Sequence, residues 1–104
     1  MNIRLFPQVR DASVAVERTG DVLRIGPEVW DFSPLPSGAT LPARAIESDY
    51  IIGDVERNTD GVLHVHVIFP IGPHAGEVAR FPQPIVNPPD GPVHLPDPGF
   101  EELE

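Results

Sequence analysis

Two carboxylates and two histidines stand at spacings that suit metal chemistry: Asp54 and Glu56 before a predicted turn, His64 and His66 after it. Side chains two apart on a strand leave from the same face, so a hairpin opposing the two segments brings all four to one patch. Imidazole nitrogens and carboxylate oxygens are the donors that zinc, iron and manganese accept. The plainer expectation is that an acid opposite a histidine on a solvated face is an ordinary cross-strand pair. That reading is preferred, and no catalytic, cofactor-binding or metal-ligating residue is assigned.

The remaining reactive residue types lack the company that chemistry requires. His74 and His94 fall in turn-rich, proline-flanked loops, where histidines are mostly solvated. Ser13, Ser33, Ser37 and Ser48 have no nucleophile elbow, since Leu35-Pro36-Ser37-Gly38-Ala39 is not Gly-x-Ser-x-Gly. No phosphate-cradling glycine loop occurs. Asp97, Glu101 and Glu102 lie in an acidic end that cannot hold a pair of carboxylates in fixed geometry. The chain reads as a non-enzyme.

Two antiparallel units are expected to position the candidate residues. Residues 49–57 and 62–69 flank Asn58-Thr59-Asp60-Gly61, and glycine at the end of a three-residue loop suits a type I turn with a bulge. The resulting register pairs Val55 with Val65 and Ile51 with Phe69 on one face. On the other it sets Glu56 across from His64 and Asp54 across from His66. Upstream, residues 14–32 read as a three-stranded meander broken at Thr19-Gly20 and Gly26-Pro27. The expected pairs are Val16 with Leu23, Val14 with Ile25, Ile25 with Trp30 and Leu23 with Phe32, with Arg24 facing Asp31. All six apolar residues then share one face. Pro27 cannot adopt the positive φ of a type I′ turn, which favours a four-residue loop there.

Between the units, residues 33–48 carry Pro34, Pro36 and Pro42 and read as an ordered connector with one helical turn near residues 43–46. From residue 70 onward there are nine prolines, and short pieces at 85–86 and 93–95 are expected as edge strands. Residues 99–104 read as a fraying acidic tail beyond a single domain of residues 1–98. Trp30 is assigned to the core and Tyr50 to the surface. The fold expected is all-β: an antiparallel meander plus a hairpin in a small barrel or sandwich, with a proline-rich extended C-terminal region.

Composition limits the partners. With 104 residues, 16 acids and 7 basic residues, the net charge of −9 argues against nucleic acid, which demands a basic face. All seven basic residues are arginine, and no cysteine is present, so disulfides and thiolate metal sites are excluded. No apolar run is long enough for a membrane span, and the first ten residues lack the apolar stretch of a signal peptide. The expectation is a protein of the bacterial host cytoplasm, possible virion association included.

Two resemblances bear on function. His-x-His on a strand is similar to part of the metal loop of cupins, and implies a small metal-binding β-barrel as the alternative reading. The glutamate that cupins need shortly after the second histidine is missing, since Val67, Ile68, Phe69 and Pro70 stand there. The second resemblance is broader. Asp31-Phe32-Ser33 followed by Leu35-Pro36-Ser37-Gly38-Ala39-Thr40-Leu41-Pro42, with the hairpin after it and Phe81-Pro82-Gln83-Pro84-Ile85 later, resembles small uncharacterised proteins of tailed bacteriophages and prophages, encoded among tail and virion-structure genes. That likeness covers about two-thirds of the chain and brings no catalytic residue. It implies a structural or accessory protein acting through contacts with other phage structural or assembly proteins, or as a homo-oligomer.

Overall fold

In the computed structural model, which describes residues 1–100, alternating apolar residues build nine strands. They are β1 (Asn2–Val9), β2 (Val16–Thr19), β3 (Val22–Ile25), β4 (Glu28–Asp31), β5 (Thr40–Leu41), β6 (Val55–Arg57), β7 (Leu63–Ile71), β8 (Ile85–Val86) and β9 (Gly91–Pro92). A 3-10 turn at Ala43–Ala45 and a single α-helical turn, α1 (Glu77–Arg80), complete the described elements. One sheet runs β5-β6-β7-β1-β8 and the other β4-β3-β2-β9. With 39% strand against 7% helix, the all-β expectation holds. Ile3, Leu5, Val55, Val65 and Val67 of the first sheet and Val16, Leu23 and Ile25 of the second belong to one buried cluster.

The meander forms with its faces as expected and its registers shifted. Val16 pairs with Ile25 and Arg18 with Leu23, while Leu23 pairs with Trp30 and Ile25 with Glu28. Both connections are two-residue loops, and Arg24 faces Val29 rather than Asp31. Gly26 explains the second turn. Its φ of +56° supplies the left-handed first position of a type II′ turn, and Pro27 then needs only its own negative φ. The four-residue loop is therefore wrong. The shift is two residues in each ladder, which preserves the faces: Val16, Leu23, Ile25 and Phe32 are buried, and Val14 and Trp30 pack against them.

The second hairpin has the expected turn, with Asn58 N–H donating to Val62 O and Gly61 N–H to Asn58 O, both 3.0 Å. Glu56 pairs with His64 as expected, and Arg57 pairs with Leu63 beside it. Farther from the turn the register breaks, for Ile51 bridges Val67 instead of Phe69. Gly53, with φ +71°, takes the intervening kink.

The central pairing of the first sheet lay outside the sequence reading. β1 runs parallel to β7 over eight residues, from Asn2 opposite His64 to Val9 opposite Ile71. Pro7 inside β1 would ordinarily argue against an inner strand. Here β8 covers only Asn2 and Ile3, so Pro7 has a strand neighbour on one side alone. The connector is ordered as expected, but its Thr40–Leu41 also adds an edge strand to β6. Near the C-terminus β8 matches the expected strand at 85–86, whereas the later one forms at Gly91–Pro92 instead of 93–95. At the start of the expected tail, Gly72 N–H donates to Pro98 O at 2.7 Å and His74 N–H to Gly99 O at 3.1 Å. Residues 101–104 of the expected tail lie outside the described part. No described helix is long and apolar enough to cross a membrane.

Candidate functional site

The four-residue face converges only in part. Alternation along β7 puts His64 and His66 on the face away from the core, and the pairing with β6 sets Glu56 opposite His64. Asp54 is elsewhere: its Oδ1 accepts from Ala43 N–H at 2.7 Å, which ties it to the connector. The kink at Gly53 causes this, and an added Cβ on Gly53 itself would meet His66 Nδ1 at 3.5 Å. The expected pairing of Asp54 with His66 is thus corrected. Among the described residues no three His, Asp or Glu groups come together in a way that would hold a metal.

Both imidazoles are engaged by other neighbours. Asn58 Oδ1 accepts from the N–H groups of Asp60 and Val62, 3.0 Å each, which turns its amide nitrogen towards His64 Nε2 at 3.3 Å. An N–H donor at that distance requires a lone pair, which assigns His64 the tautomer protonated at Nδ1. The nitrogen that a strand histidine would offer to a cation is already accepting a hydrogen bond. His66 packs edge-on against Phe6, 5.5 Å between ring centroids, and Arg4 lies over the same Phe6 ring at 5.7 Å. The hollow beside them, about 190 Å³, is lined by Asn2, Arg4, His64, His66, Pro84 and Val86.

A second hollow is larger and of different character. About 340 Å³ in volume, it is lined by Asp31, Phe32, Pro34, Leu35, Pro36 and Leu41. Proline and leucine give it apolar walls, and Asp31 at one end is the last residue of β4. Its walls are held from beneath by Arg57. That side chain donates from Nε to Leu35 O at 2.6 Å, from Nη1 to Gly61 O at 2.9 Å, and from Nη2 to Phe32 O and Asp21 Oδ2, each at 3.0 Å. The backbone of Arg57 adds two bonds, from its N–H to Ala39 O and from Gly38 N–H to its own carbonyl. A planar guanidinium meets several fixed acceptors at once, which an ammonium cannot do as well. Nothing in the sequence reading singled out Arg57, though alternation contained the signal: it shares the inward phase of Val55.

The sheet margins differ sharply in exposure to pairing. β5, β8 and β9 are two-residue strands, with proline at or next to each: Pro42 after β5, Pro84 before β8 and Pro92 in β9. Proline and brevity are the usual guards of an edge. The part of β1 beyond β8 carries Pro7. β4 is longer, with four residues, and although Pro27 precedes it no proline interrupts it, and it ends its sheet. In a two-residue hairpin the closing pair, here Ile25 and Glu28, exchanges both hydrogen bonds, and so does Leu23 with Trp30. Phe32 N–H donating to Asp21 O at 3.0 Å follows the same alternation. The N–H and C=O groups of Val29 and Asp31 therefore point away from β3, to the open side. Val29 is also among the exposed large apolar residues, at 59%.

Glu28 fixes the other end of this strand. Its carboxylate accepts from Trp30 Nε1 and Asp49 N–H, both at 2.9 Å, and from the Ser48 hydroxyl. Partial burial pushes its carboxyl up, but the bonds from Ser48, Trp30 and Asp49 together outweigh this and hold it below the ordinary carboxylate range. The indole is oriented by that carboxylate and packs partly buried against the core, short of the full burial expected of it. Tyr50 is likewise partly buried against the core, with Arg10 over its ring at 5.7 Å, where the sequence reading placed it on the surface.

No protein-family model matches the chain, and no curated protein or solved structure matches it significantly.

Proposed function

We propose that the protein is a non-catalytic structural or accessory component of phage or prophage origin, associated with tail or virion assembly, that works by docking another polypeptide on β4. One observation carries this reading. The segment whose sequence resembles phage proteins, residues 31–42, begins at the last residue of the open edge strand β4 and lines the apolar hollow beside it. An extended peptide added to such an edge gains main-chain hydrogen bonds, and a hollow alongside selects one apolar side chain. Arg57 is the support that keeps the hollow's walls in place.

The experiment is co-expression of the tagged chain with the products of the genes next to its own. The expected result is stoichiometric co-purification with a virion-assembly protein, lost in Val29→Lys, which places a charge at the edge. Equal recovery with Val29→Lys, or no complex with any of those products, would count against the reading.

A further inference from the structure

The open edge is self-complementary, and its geometry fixes one register. Two copies of β4 related by a two-fold axis through the sheet must run antiparallel, and three centres are available. Centred on Val29, both outer pairs would join Asp31 of one copy to Pro27 of the other, which has no N–H to give. Centred on Asp31, two carboxylates would face each other directly, and Val29 would meet Ser33, whose N–H is already held by Asp31 Oδ1 at 2.9 Å. Centred on Trp30, Val29 pairs with the partner's Asp31 and Asp31 with the partner's Val29. All four outward N–H groups then meet outward carbonyls, and none is wasted.

We propose that the chain forms a homodimer through this Trp30-centred pairing of β4, which joins two four-stranded sheets into one of eight strands. The inference rests on β4 as the docking edge and names a second copy as its occupant.

Charge placement agrees with the register. On the outer face Arg24 lies opposite Val29 within the chain. Val29 in turn lies opposite the partner's Asp31, so Arg24 faces that carboxylate across a single valine. Two strand spacings, about 9.6 Å of backbone separation, are within reach of a long guanidinium side chain. Among the described residues of the single chain, the Arg24 side chain makes no hydrogen bond or ion pair. The pairing also covers Val29, exposed by 59% in the single chain. On the inner face it brings Trp30 beside its own copy. Two chains of charge −9 repel over long distances, so the contact is expected to strengthen as salt rises.

The test uses the absence of cysteine and the single tryptophan. Sedimentation velocity of the full chain, from micromolar to near-millimolar concentration, should show the mass rising from 11.3 kDa to twice that value. In a Trp30→Cys variant the two thiols lie opposite each other at a non-hydrogen-bonded site, with Cα atoms about 4.5 Å apart, within disulfide range. Mild oxidation should give a covalent dimer in most of the sample, and a Val9→Cys control on the other sheet should not. Val29→Pro removes an N–H that the chain itself does not use and should leave a folded monomer. Val29→Lys, which leaves the backbone intact, should do the same if the proline variant fails to fold.

A wild-type chain that stays at 11.3 kDa throughout would overturn the dimer, as would a dimer indifferent to Val29→Lys. A monomer that still captures a neighbouring gene product through β4 overturns the dimer and leaves the docking reading standing. A β4 dimer that captures none supports the pairing and removes the assembly role.

Discussion

Arg57 Nη2 and Asp21 Oδ2 lie 3.0 Å apart, the arginine side chain 12% exposed and the aspartate side chain 36%. The pair links β6 of one sheet to the β2–β3 turn of the other, and the remaining Arg57 donors hold the Phe32, Leu35 and Gly61 carbonyls. The two partners do not contribute equally. Asp21 can be hydrated when its partner is lost, whereas the carbonyls beneath the connector depend on the guanidinium.

Arg57→Ala should therefore lower stability by about 2–4 kcal/mol, mostly through carbonyls left without donors. Asp21→Asn should cost under about 1 kcal/mol, as expected for a partly solvated ion pair. Arg57→Lys keeps the charge and loses the fork, so it should recover only part of the loss. Urea unfolding midpoints of the three variants check the ranking. Equal losses for Asp21→Asn and Arg57→Ala would mean that the ion pair, not the carbonyl set, is the stabilising contact.

Glu28 makes stability depend on acid. Its carboxyl titrates below the ordinary value of about 4.3 when folded, so between the two values the unfolded chain binds more protons. The resulting stabilisation is complete above the ordinary value and disappears as pH falls through the folded one. The stability difference between wild type and Glu28→Gln should be constant above about pH 5.5 and shrink as the pH drops below about 4. A difference that stays flat into strong acid would show that the carboxylate is not held by Ser48, Trp30 and Asp49.

The two meander turns give a comparison of glycines. Gly20 and Gly26 have φ of +58° and +56°, and alanine at either carries the left-handed penalty of about 1–2 kcal/mol. Around Gly20 an added Cβ meets nothing within 4 Å, whereas at Gly26 it would meet Val14 Cγ2 at 2.8 Å. Thermal unfolding should show Gly26→Ala as the more destabilised of the two.

In NMR of the ring nitrogens, the neutral His64 ring should carry its proton on Nδ1, because Asn58 donates to Nε2. Asn58→Ala should shift the ring towards the Nε2–H form. An Nε2–H ring in the wild type would contradict the assigned hydrogen bond.

Much of this arrangement was legible in the chain because period-two patterning decides faces before it decides partners. Val16, Leu23, Ile25 and Phe32 were assigned inward and are buried, even though both meander ladders slid by two residues. Such a slide leaves inward residues inward, so the apolar pattern cannot detect it. Turn chemistry detects it: Gly26, not Pro27, supplies the positive φ of a two-residue type II′ turn. The pairing of β1 with β7 joins residues more than 60 apart and leaves no local trace. The expected Asp54–His66 register was lost for a related reason, since one kink at Gly53 moved Asp54 out of a register that Glu56 keeps. Arg57 was visible as a charge on the inward phase, but its acceptors are backbone carbonyls, which sequence does not mark.

Amide hydrogen exchange along β4, followed residue by residue, tests the docking role most directly. The account predicts that the Val29 and Asp31 N–H groups, which point away from β3, exchange freely in the dilute chain and become protected in the assembled state. Those of Glu28 and Trp30, bonded to β3, should be protected in both. Val29 and Asp31 amides that exchange equally fast in the dilute chain and in the assembly would contradict the claim that β4 is the docking edge.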